Sequence, residues 1–120
     1  ADPAWRPLAT TPNHPEYPAA HVCFTGAAST LIAGYFGTTK TRVVIDSMAF
    51  PDSPHTHTFH DTRDLMDEVF WARIYAGIHF YHSVEDGRQL GAAIGREVLR
   101  THFRPQQSGL EIFENRKADW

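Results

Sequence analysis

Proline positions divide this chain of 120 residues into segments that can and cannot form regular structure. Proline removes a backbone hydrogen-bond donor and breaks the interior of helices and central strands. Five of the eight prolines fall within residues 1–18, two lie at Pro51 and Pro54, and the last is Pro105. Residues 1–18 are therefore predicted to form an extended loop, and helices are predicted in the proline-free stretches that follow.

Local signals place three helices in these stretches. The predicted segments are a proline-rich loop 1–18, a helix 19–36, a loop 37–60, a helix 61–78, a helix 83–103 and a tail 105–120. Gly37 is typical of a residue that ends a helix in the left-handed conformation. Asp61 or Thr62 can cap the second helix, and Ser83 with Asp86 resembles a capping box for the third.

The pattern of apolar and small residues predicts an all-α helical bundle. The second helix has an apolar stripe at helical spacing, formed by Leu65, Val69, Ala72 and Ala76, and Arg73 lies beside it. The inner stripe of the third helix is predicted to be Gly87, Leu90, Gly91, Ile94, Val98 and Phe103. Small residues on the first helix permit close approach of neighbours: Gly26, Ala27, Ala28 and Ala33. Because three helices bury a modest core, we expect one domain or a piece of one.

Charge, hydropathy and cysteine content exclude several classes of function. Eleven Lys and Arg against 14 Asp and Glu give a net charge of −3, which disfavours nucleic acids and anionic membranes as partners. No apolar run approaches the roughly 20 residues that a membrane span requires. The single cysteine, Cys23, excludes an internal disulfide and a cysteine-based zinc site. Chemistry is therefore expected among the eight histidines, of which His14 and His102 are predicted to be surface or structural residues.

Two segments combine histidine with features that favour binding of an oxyanion. The loop 15–21 delivers His21 to the start of a helix, where free N–H groups and the helix dipole attract anions. Arg73 lies six residues before His79, and an inward-facing guanidinium needs a partner because it cannot lose its charge. Two histidines can then divide the roles of nucleophile and acid. The alternative from the residues alone is a set of structural histidine and arginine side chains.

The predicted loop 37–60 leaves two questions open. Residues 41–46 are compatible with a short strand or with a loop. His55, His57 and His60 offer three imidazoles, which suit zinc or copper, although their spacing matches no common ligand pattern. The main interpretation is an exposed polar loop, and a metal-binding module is the alternative.

The two histidine-containing segments resemble the signature motifs of a known family. Residues 15–21, followed by Phe-Thr-Gly-Ala at 24–27, resemble the Pro-Ser-Gly-His motif of the vanadium-dependent haloperoxidases and the related type 2 phosphatidic-acid phosphatases. Arg73 and His79 resemble the pair in their Ser-Arg-x5-His motif. Residues 2–104 are similar in order and spacing to the C-terminal part of the catalytic domain in the bacterial and plant haloperoxidase-like branch.

The resemblance implies a helical bundle that holds vanadate, with phosphate as a competing oxyanion. His79 is implied as the direct ligand of vanadium, or as the nucleophile that forms a phosphohistidine. Arg73 would neutralise oxyanion oxygens, the backbone N–H groups of Ala19 and Ala20 would assist, and His21 would act as a general acid. The implied reactions are halide oxidation by hydrogen peroxide, with the metal as a Lewis acid, and hydrolysis of a phosphomonoester. The family also implies a secreted or periplasmic location.

The chain departs from the family pattern at several positions. Ala19 and Ala20 stand where the family has Ser-Gly, and Ala72 replaces the serine before the arginine. Ser83 stands where the phosphatases have an aspartate that orients the histidine. The family's Lys-x6-Arg-Pro motif is absent, and Arg6, although it precedes a proline, is predicted to be a loop residue.

These departures leave three functional hypotheses. The leading one is a haloperoxidase-like enzyme, present here as a C-terminal fragment of its catalytic domain. The alternatives are an acid-phosphatase-type hydrolase and a non-catalytic homologue that has lost the chemistry. Expected partners are small-molecule substrates (hydrogen peroxide and halide, or a phosphomonoester) and the N-terminal part of the domain, from the same or another chain.

Overall fold

The computed structural model describes residues 2–47 and 55–102, which form three helices and one hairpin. In chain order the elements are α1 (Ala20–Phe36), β1 (Val43–Ser47), β2 (His55–Phe59), α2 (Thr62–Tyr75) and α3 (Tyr81–Thr101). The predicted all-α class with three main helices is confirmed. The predicted tail 105–120 lies outside the described residues.

Helices α1 and α3 pack backbone against backbone through glycines of α3. Gly87, Gly91 and Gly95 are spaced four residues apart on one face and are all buried. A Cβ at Gly87 would lie 2.7 Å from the Ala19 carbonyl oxygen, and one at Gly91 would overlap the Cys23 carbonyl oxygen. Both helices advance by four residues between these two contacts, so α1 and α3 run in the same direction.

The inner face of α3 therefore differs from the predicted stripe. Leu90 and Ile94 are 46% and 45% exposed, and Gly95 takes a buried position that the prediction left out. The physical reason is that the close approach of two helix backbones leaves no room for branched side chains along the contact line. Leu90 and Ile94 instead flank the glycines, and Phe103 of the predicted stripe lies outside the described residues.

Helix α2 closes one end of the α1–α3 pair with a small apolar core. The core side chains are Ala19, Val22, Met66, Phe70 and Val84. Ala19 and Val22 lie at the start of α1, and Val84 lies in the first turn of α3. Met66 and Phe70 lie on α2. The first turns of α1 and α3 therefore meet against α2 at the same end of the bundle.

The predicted loop 37–60 contains an antiparallel hairpin. Val43 pairs with Phe59 at one end, and Ser47 pairs with His55 at the other. For residues 41–46 the strand alternative is correct from Val43 onward, whereas the loop interpretation of residues 55–59 is wrong. Hydroxyl-rich sequence favoured a loop, but the alternation His-Thr-His-Thr-Phe fits a strand that buries its last side chain.

The proline-rich loop crosses the turn between α2 and α3. The Ala9 N–H donates to the Ala76 carbonyl at 3.3 Å. Gly77 has a φ of +73°, and a Cβ there would lie 3.0 Å from the Trp5 ring. Because this backbone conformation suits glycine, the chain turns sharply at Gly77, and α2 ends at Tyr75 rather than at residue 78.

Several large apolar side chains remain exposed in the described structure. They include Leu8, Phe24, Tyr35, Phe36, Trp71, Tyr75, Phe80 and Tyr81. Within residues 2–47 and 55–102, no helix has the length and apolar character needed to cross a membrane.

The glycine contact between α1 and α3 predicts the effect of Gly91→Ala. Helix propensity alone would stabilise the protein by about 1 kcal/mol, but the new Cβ would overlap the Cys23 carbonyl oxygen. Overpacking of this kind typically lowers the free energy of unfolding by about 1–3 kcal/mol, so we expect net destabilisation in thermal or denaturant unfolding. Ala93→Ser, on the exposed side of the same helix, is the control. A melting temperature raised by Gly91→Ala would contradict the packing described.

Candidate functional site

Four side chains from four segments lie together at the end of the bundle where the first turns of α1 and α3 meet. They are His14 in the proline-rich loop, His21 in α1, Arg73 in the last turn of α2, and His79 in the α2–α3 turn. The centroid of the His14 ring lies 5.9 Å from the ring centroids of His21 and His79. The His14 ring stacks on the His79 ring with an interplanar angle of 17°. Arg73 lies close enough to His21 to affect its pKa. We call these four side chains the histidine–arginine cluster.

The orientation of His79 is set by a backbone carbonyl of the proline-rich loop. His79 is 7% exposed, and its Nδ1 lies 2.7 Å from the Glu16 carbonyl oxygen. A carbonyl oxygen only accepts, so Nδ1 carries the proton and donates this hydrogen bond. In the neutral ring the lone pair is then on Nε2, which is buried and has no partner among the described residues. This nitrogen can act as a nucleophile or as a ligand.

Arg73 contributes a permanent positive charge that is not neutralised within the described residues. It is partly buried, its Nε has no hydrogen-bond partner there, and burial lowers the pKa of Arg73 from its ordinary value. A guanidinium nevertheless stays charged in proteins. A partly buried cation without a counter-ion destabilises the fold, so this geometry favours an anionic ligand.

His21 is held towards its neutral form. Partial burial is the largest cause that lowers the pKa of His21, and the charge of Arg73 is the next. The imidazoles of His14 and His79 act in the same direction. Near neutral pH, His21 therefore starts as a proton acceptor, and an anion bound nearby would raise its pKa again.

His14 is a member of the cluster that the sequence interpretation missed. Its Nδ1 lies 3.0 Å from the Pro15 carbonyl oxygen, and its buried Nε2 has no partner within residues 2–47 and 55–102. The available signal was its position directly before the 15–21 loop. Its stacking on His79 depends on a contact between residues 65 positions apart in the sequence, which a local pattern does not show.

The backbone donors proposed at the start of α1 are not equivalent. The Ala19 N–H donates to the Ser83 carbonyl at 3.1 Å, so this amide is already engaged. Ala20 begins α1 and is exposed, and first-turn amides have no acceptor inside their own helix. Ala20 and His21 also line an open concavity of about 330 Å³ with Phe24 and Thr25. Ala20 is therefore the better candidate donor to a ligand.

Ser83 does not cap α3, because that helix begins earlier than predicted. The helix starts at Tyr81, which places Ser83 inside the first turn, where its side chain is fully buried. Its hydroxyl donates to the Glu16 carbonyl at 2.7 Å, the same oxygen that accepts from His79. Asp86, the other half of the predicted capping box, accepts from the Tyr17 hydroxyl at 2.9 Å.

The hairpin histidines do not form a metal site in the described part of the chain. Across residues 2–47 and 55–102, no three His, Cys, Asp or Glu side chains are arranged to hold a metal ion. His57 Nδ1 instead lies 3.1 Å from Glu68 Oε1, and both side chains are more than half exposed. The metal-binding alternative therefore has no support from these residues.

Comparison with known proteins identifies a family and a similar solved structure. The family model described as "VCPO second helical-bundle domain" matches residues 1–108 of this chain. The chain also resembles the crystal structure described as the first bacterial vanadium-dependent iodoperoxidase, with 30% sequence identity and a TM-score of 0.68. The similarity covers 81% of this chain and 23% of that chain, so this chain spans less than a quarter of the iodoperoxidase. No curated protein gives a match.

The lowered pKa of His21 predicts how stability depends on pH. As the pH falls, His21 binds a proton at a higher pH in the unfolded state, where its pKa has the ordinary value of 6.5, than in the folded state. The contribution of His21 to the free energy of unfolding is therefore complete above about pH 6.5 and declines as the pH falls below it. Denaturant unfolding from pH 5 to 8 checks this, with His21→Gln expected to flatten the decline. His60→Gln, an exposed imidazole outside the cluster, is the matched control, and an unchanged slope in His21→Gln would refute the assignment.

Proposed function

Since this chain belongs to the family of VCPO second helical-bundle domains, we propose that it carries oxyanion-binding residues of a vanadium haloperoxidase-like enzyme. In this proposal the histidine–arginine cluster holds vanadate, and the complete protein oxidises a halide with hydrogen peroxide. The iodoperoxidase resemblance at 30% identity favours this reaction over phosphomonoester hydrolysis. Because the chain spans only 23% of that relative, the activity is assigned to the complete protein.

The observation that carries the proposal is the set of unpaired polar atoms in the cluster. Buried polar atoms in proteins are nearly always hydrogen-bonded. Nevertheless, Nε of Arg73 and Nε2 of His79 and of His14 are buried without a partner among the described residues. Vanadate fits this donor set, because its oxygens accept from a guanidinium while its metal centre takes the lone pair of a neutral imidazole.

Each residue then has a role that follows from its own geometry. His79 would hold the vanadium through Nε2, since its Nδ1–H is committed to the Glu16 carbonyl. Arg73 would donate to the oxygens in the forked geometry that suits oxyanions, and the Ala20 N–H would add a backbone donor. When bound, vanadate supplies a Lewis acid that polarises hydrogen peroxide for attack by halide.

His21 would move protons at the cluster. With its pKa lowered, the neutral ring can accept a proton from an incoming hydrogen peroxide molecule. The negative charge of the bound oxyanion offsets the charge of Arg73 and raises the pKa of His21 again, towards the range in which one ring can both take a proton from hydrogen peroxide and give it back. This is general base and then general acid action by one side chain.

Phosphate is the expected competitor, and further cations complete the site. A phosphate ion presents the same tetrahedral arrangement of oxygens, and in the hydrolase alternative His79 Nε2 would be the nucleophile. Arg73 is the one permanent cation of the cluster in the described residues, and a multiply charged oxyanion needs more. We infer that another segment of the catalytic domain, from the same or another polypeptide, supplies them.

The proposal predicts that His79→Ala removes the effect of vanadate on thermal stability. A ligand that binds only the native state raises the melting temperature; orthovanadate at 100 times its dissociation constant should stabilise the native protein by about 2.7 kcal/mol. We expect His79→Ala to lose this stabilisation, because the Nε2 ligand is gone. Differential scanning calorimetry of the complete protein with increasing orthovanadate checks it.

His60→Ala is the matched control, because it removes an exposed imidazole outside the cluster. It should keep the full response to vanadate. Retention of the response by His79→Ala would exclude His79 as the ligand. Phosphate should reduce the vanadate response in the native protein by competition for the same residues.

Arg73 provides a second, independent prediction. Hydrogen bonds to charged groups contribute about 1.5–3 kcal/mol, so Arg73→Gln should weaken vanadate binding by roughly 10- to 150-fold. Arg73→Lys keeps the charge without the fork and should recover part of the affinity. Equal affinities for native and Arg73→Gln proteins, measured by calorimetric titration, would rule out contact between Arg73 and the oxyanion.

A further inference from the structure

One acidic side chain of the proline-rich loop reaches the turn that contains His79. Glu16 Oε1 accepts a hydrogen bond from the Phe80 N–H at 2.9 Å and lies 3.4 Å from His79 Nδ1. The carbonyl oxygen of Glu16 lies 2.7 Å from the same Nδ1. A single residue therefore presents two oxygens, one neutral and one negatively charged, to one nitrogen of the His79 ring.

The Glu16 carboxylate also supplies the cap that α3 lacks. Phe80 is the N-cap residue of α3, and its side chain makes no capping hydrogen bond. Glu16 accepts from the Phe80 N–H instead, and a negative charge is favourable at a helix N-terminus. This contact holds the loop against the turn, and thereby keeps the Glu16 carbonyl in reach of His79 Nδ1.

Ser83, in the first turn of α3, does not orient the His79 ring. Ser83 stands where the related phosphatases have an aspartate that orients the histidine, but its hydroxyl donates to the Glu16 carbonyl at 2.7 Å. Ser83 thus fixes the acceptor, since its hydroxyl donates to Glu16 and not to the His79 ring. The acceptors that orient His79 come from the proline-rich loop, from a residue 63 positions earlier in the chain.

We propose that Glu16 is the positioning residue of His79. Its carbonyl fixes the Nδ1–H tautomer, and its carboxylate places a negative charge 3.4 Å from that nitrogen, which strengthens Nε2 as a ligand. The His79 side chain is 1% exposed and that of Glu16 is 37% exposed, so water screens the carboxylate in part and the ring very little. The effect on vanadate rests on the proposed function; the effect on the His79 ring does not.

Glu16→Gln is the substitution that isolates the charge. The amide oxygen of glutamine can still accept from the Phe80 N–H, and the backbone carbonyl of residue 16 remains, so the loop and the turn should keep their contact. Glu68→Gln is the matched control, because it removes a carboxylate 3.1 Å from another imidazole, that of His57. Circular dichroism and melting temperature verify that both variants fold.

The first measurement is made without ligand, on the complete protein labelled with ¹⁵N at histidine. Long-range ¹H–¹⁵N correlation spectra report the tautomer and electronic state of each ring, and His79→Gln assigns the His79 signals. Glu16→Gln should shift the His79 ring nitrogens, whereas Glu68→Gln should leave them in place. The second measurement is vanadate affinity by calorimetric titration. Loss of an outer partner of a metal-binding histidine typically weakens binding 10- to 100-fold, so we expect at least about tenfold weaker binding in Glu16→Gln.

The outcomes separate this inference from the proposed function. Unchanged His79 signals in Glu16→Gln would overturn the positioning role, whatever the affinity. Shifted signals with unchanged vanadate affinity would also overturn it, because the ring would then respond without consequence for the ligand. If Glu16→Gln shifts the His79 signals but the native protein binds no vanadate, the contact of Glu16 with His79 is established and the proposed function is refuted.

Discussion

The direct contact of two helix backbones organises the described structure. Because Gly87 and Gly91 carry no Cβ, α3 approaches α1 closely enough that the carbonyls of Ala19 and Cys23 meet its surface. The first turns of the two helices are thereby brought to the same end of the bundle, where α2 adds Met66 and Phe70 to a small core. Bulkier side chains on this line would separate the helices, and with them the residues of the site.

At that end the fold keeps an arrangement that is unfavourable without a ligand. Buried polar groups without partners destabilise a native state, and within residues 2–47 and 55–102 three atoms of the cluster have none, on His14, Arg73 and His79. Burial, and next the charge of Arg73, lower the pKa of His21, so protonation of His21 is disfavoured in the cluster. An anion would relieve both effects, which is the physical basis for proposing that this geometry binds an oxyanion and controls a proton beside it.

The proline-rich loop is part of the candidate site, because it contacts the α2–α3 turn and the start of α3. Tyr17 bonds to Asp86, Glu16 accepts from Phe80, and Ala9 bonds to Ala76. Prolines limit the conformations of this segment, so a few such contacts are enough to hold it across the α2–α3 turn. The loop thus delivers one imidazole of the cluster and the acceptors that orient another.

The helical class, the three helices and the candidates His21, Arg73 and His79 could be predicted from the sequence, because proline position, helical periodicity and spacing within a motif are local properties. The sequence did not reveal the strand at residues 55–59, the exposure of Leu90, or the contributions of His14 and Glu16. The strand depends on its pairing with residues 43–47, and the exposure of Leu90 depends on how closely two helices approach. The contributions of His14 and Glu16 depend on contacts between segments more than 60 residues apart. Glu16 bonds to residues 63 and 64 positions away. Only the tertiary structure decided such contacts, since an acceptor or a neighbouring backbone acquires its partner when the chain is folded.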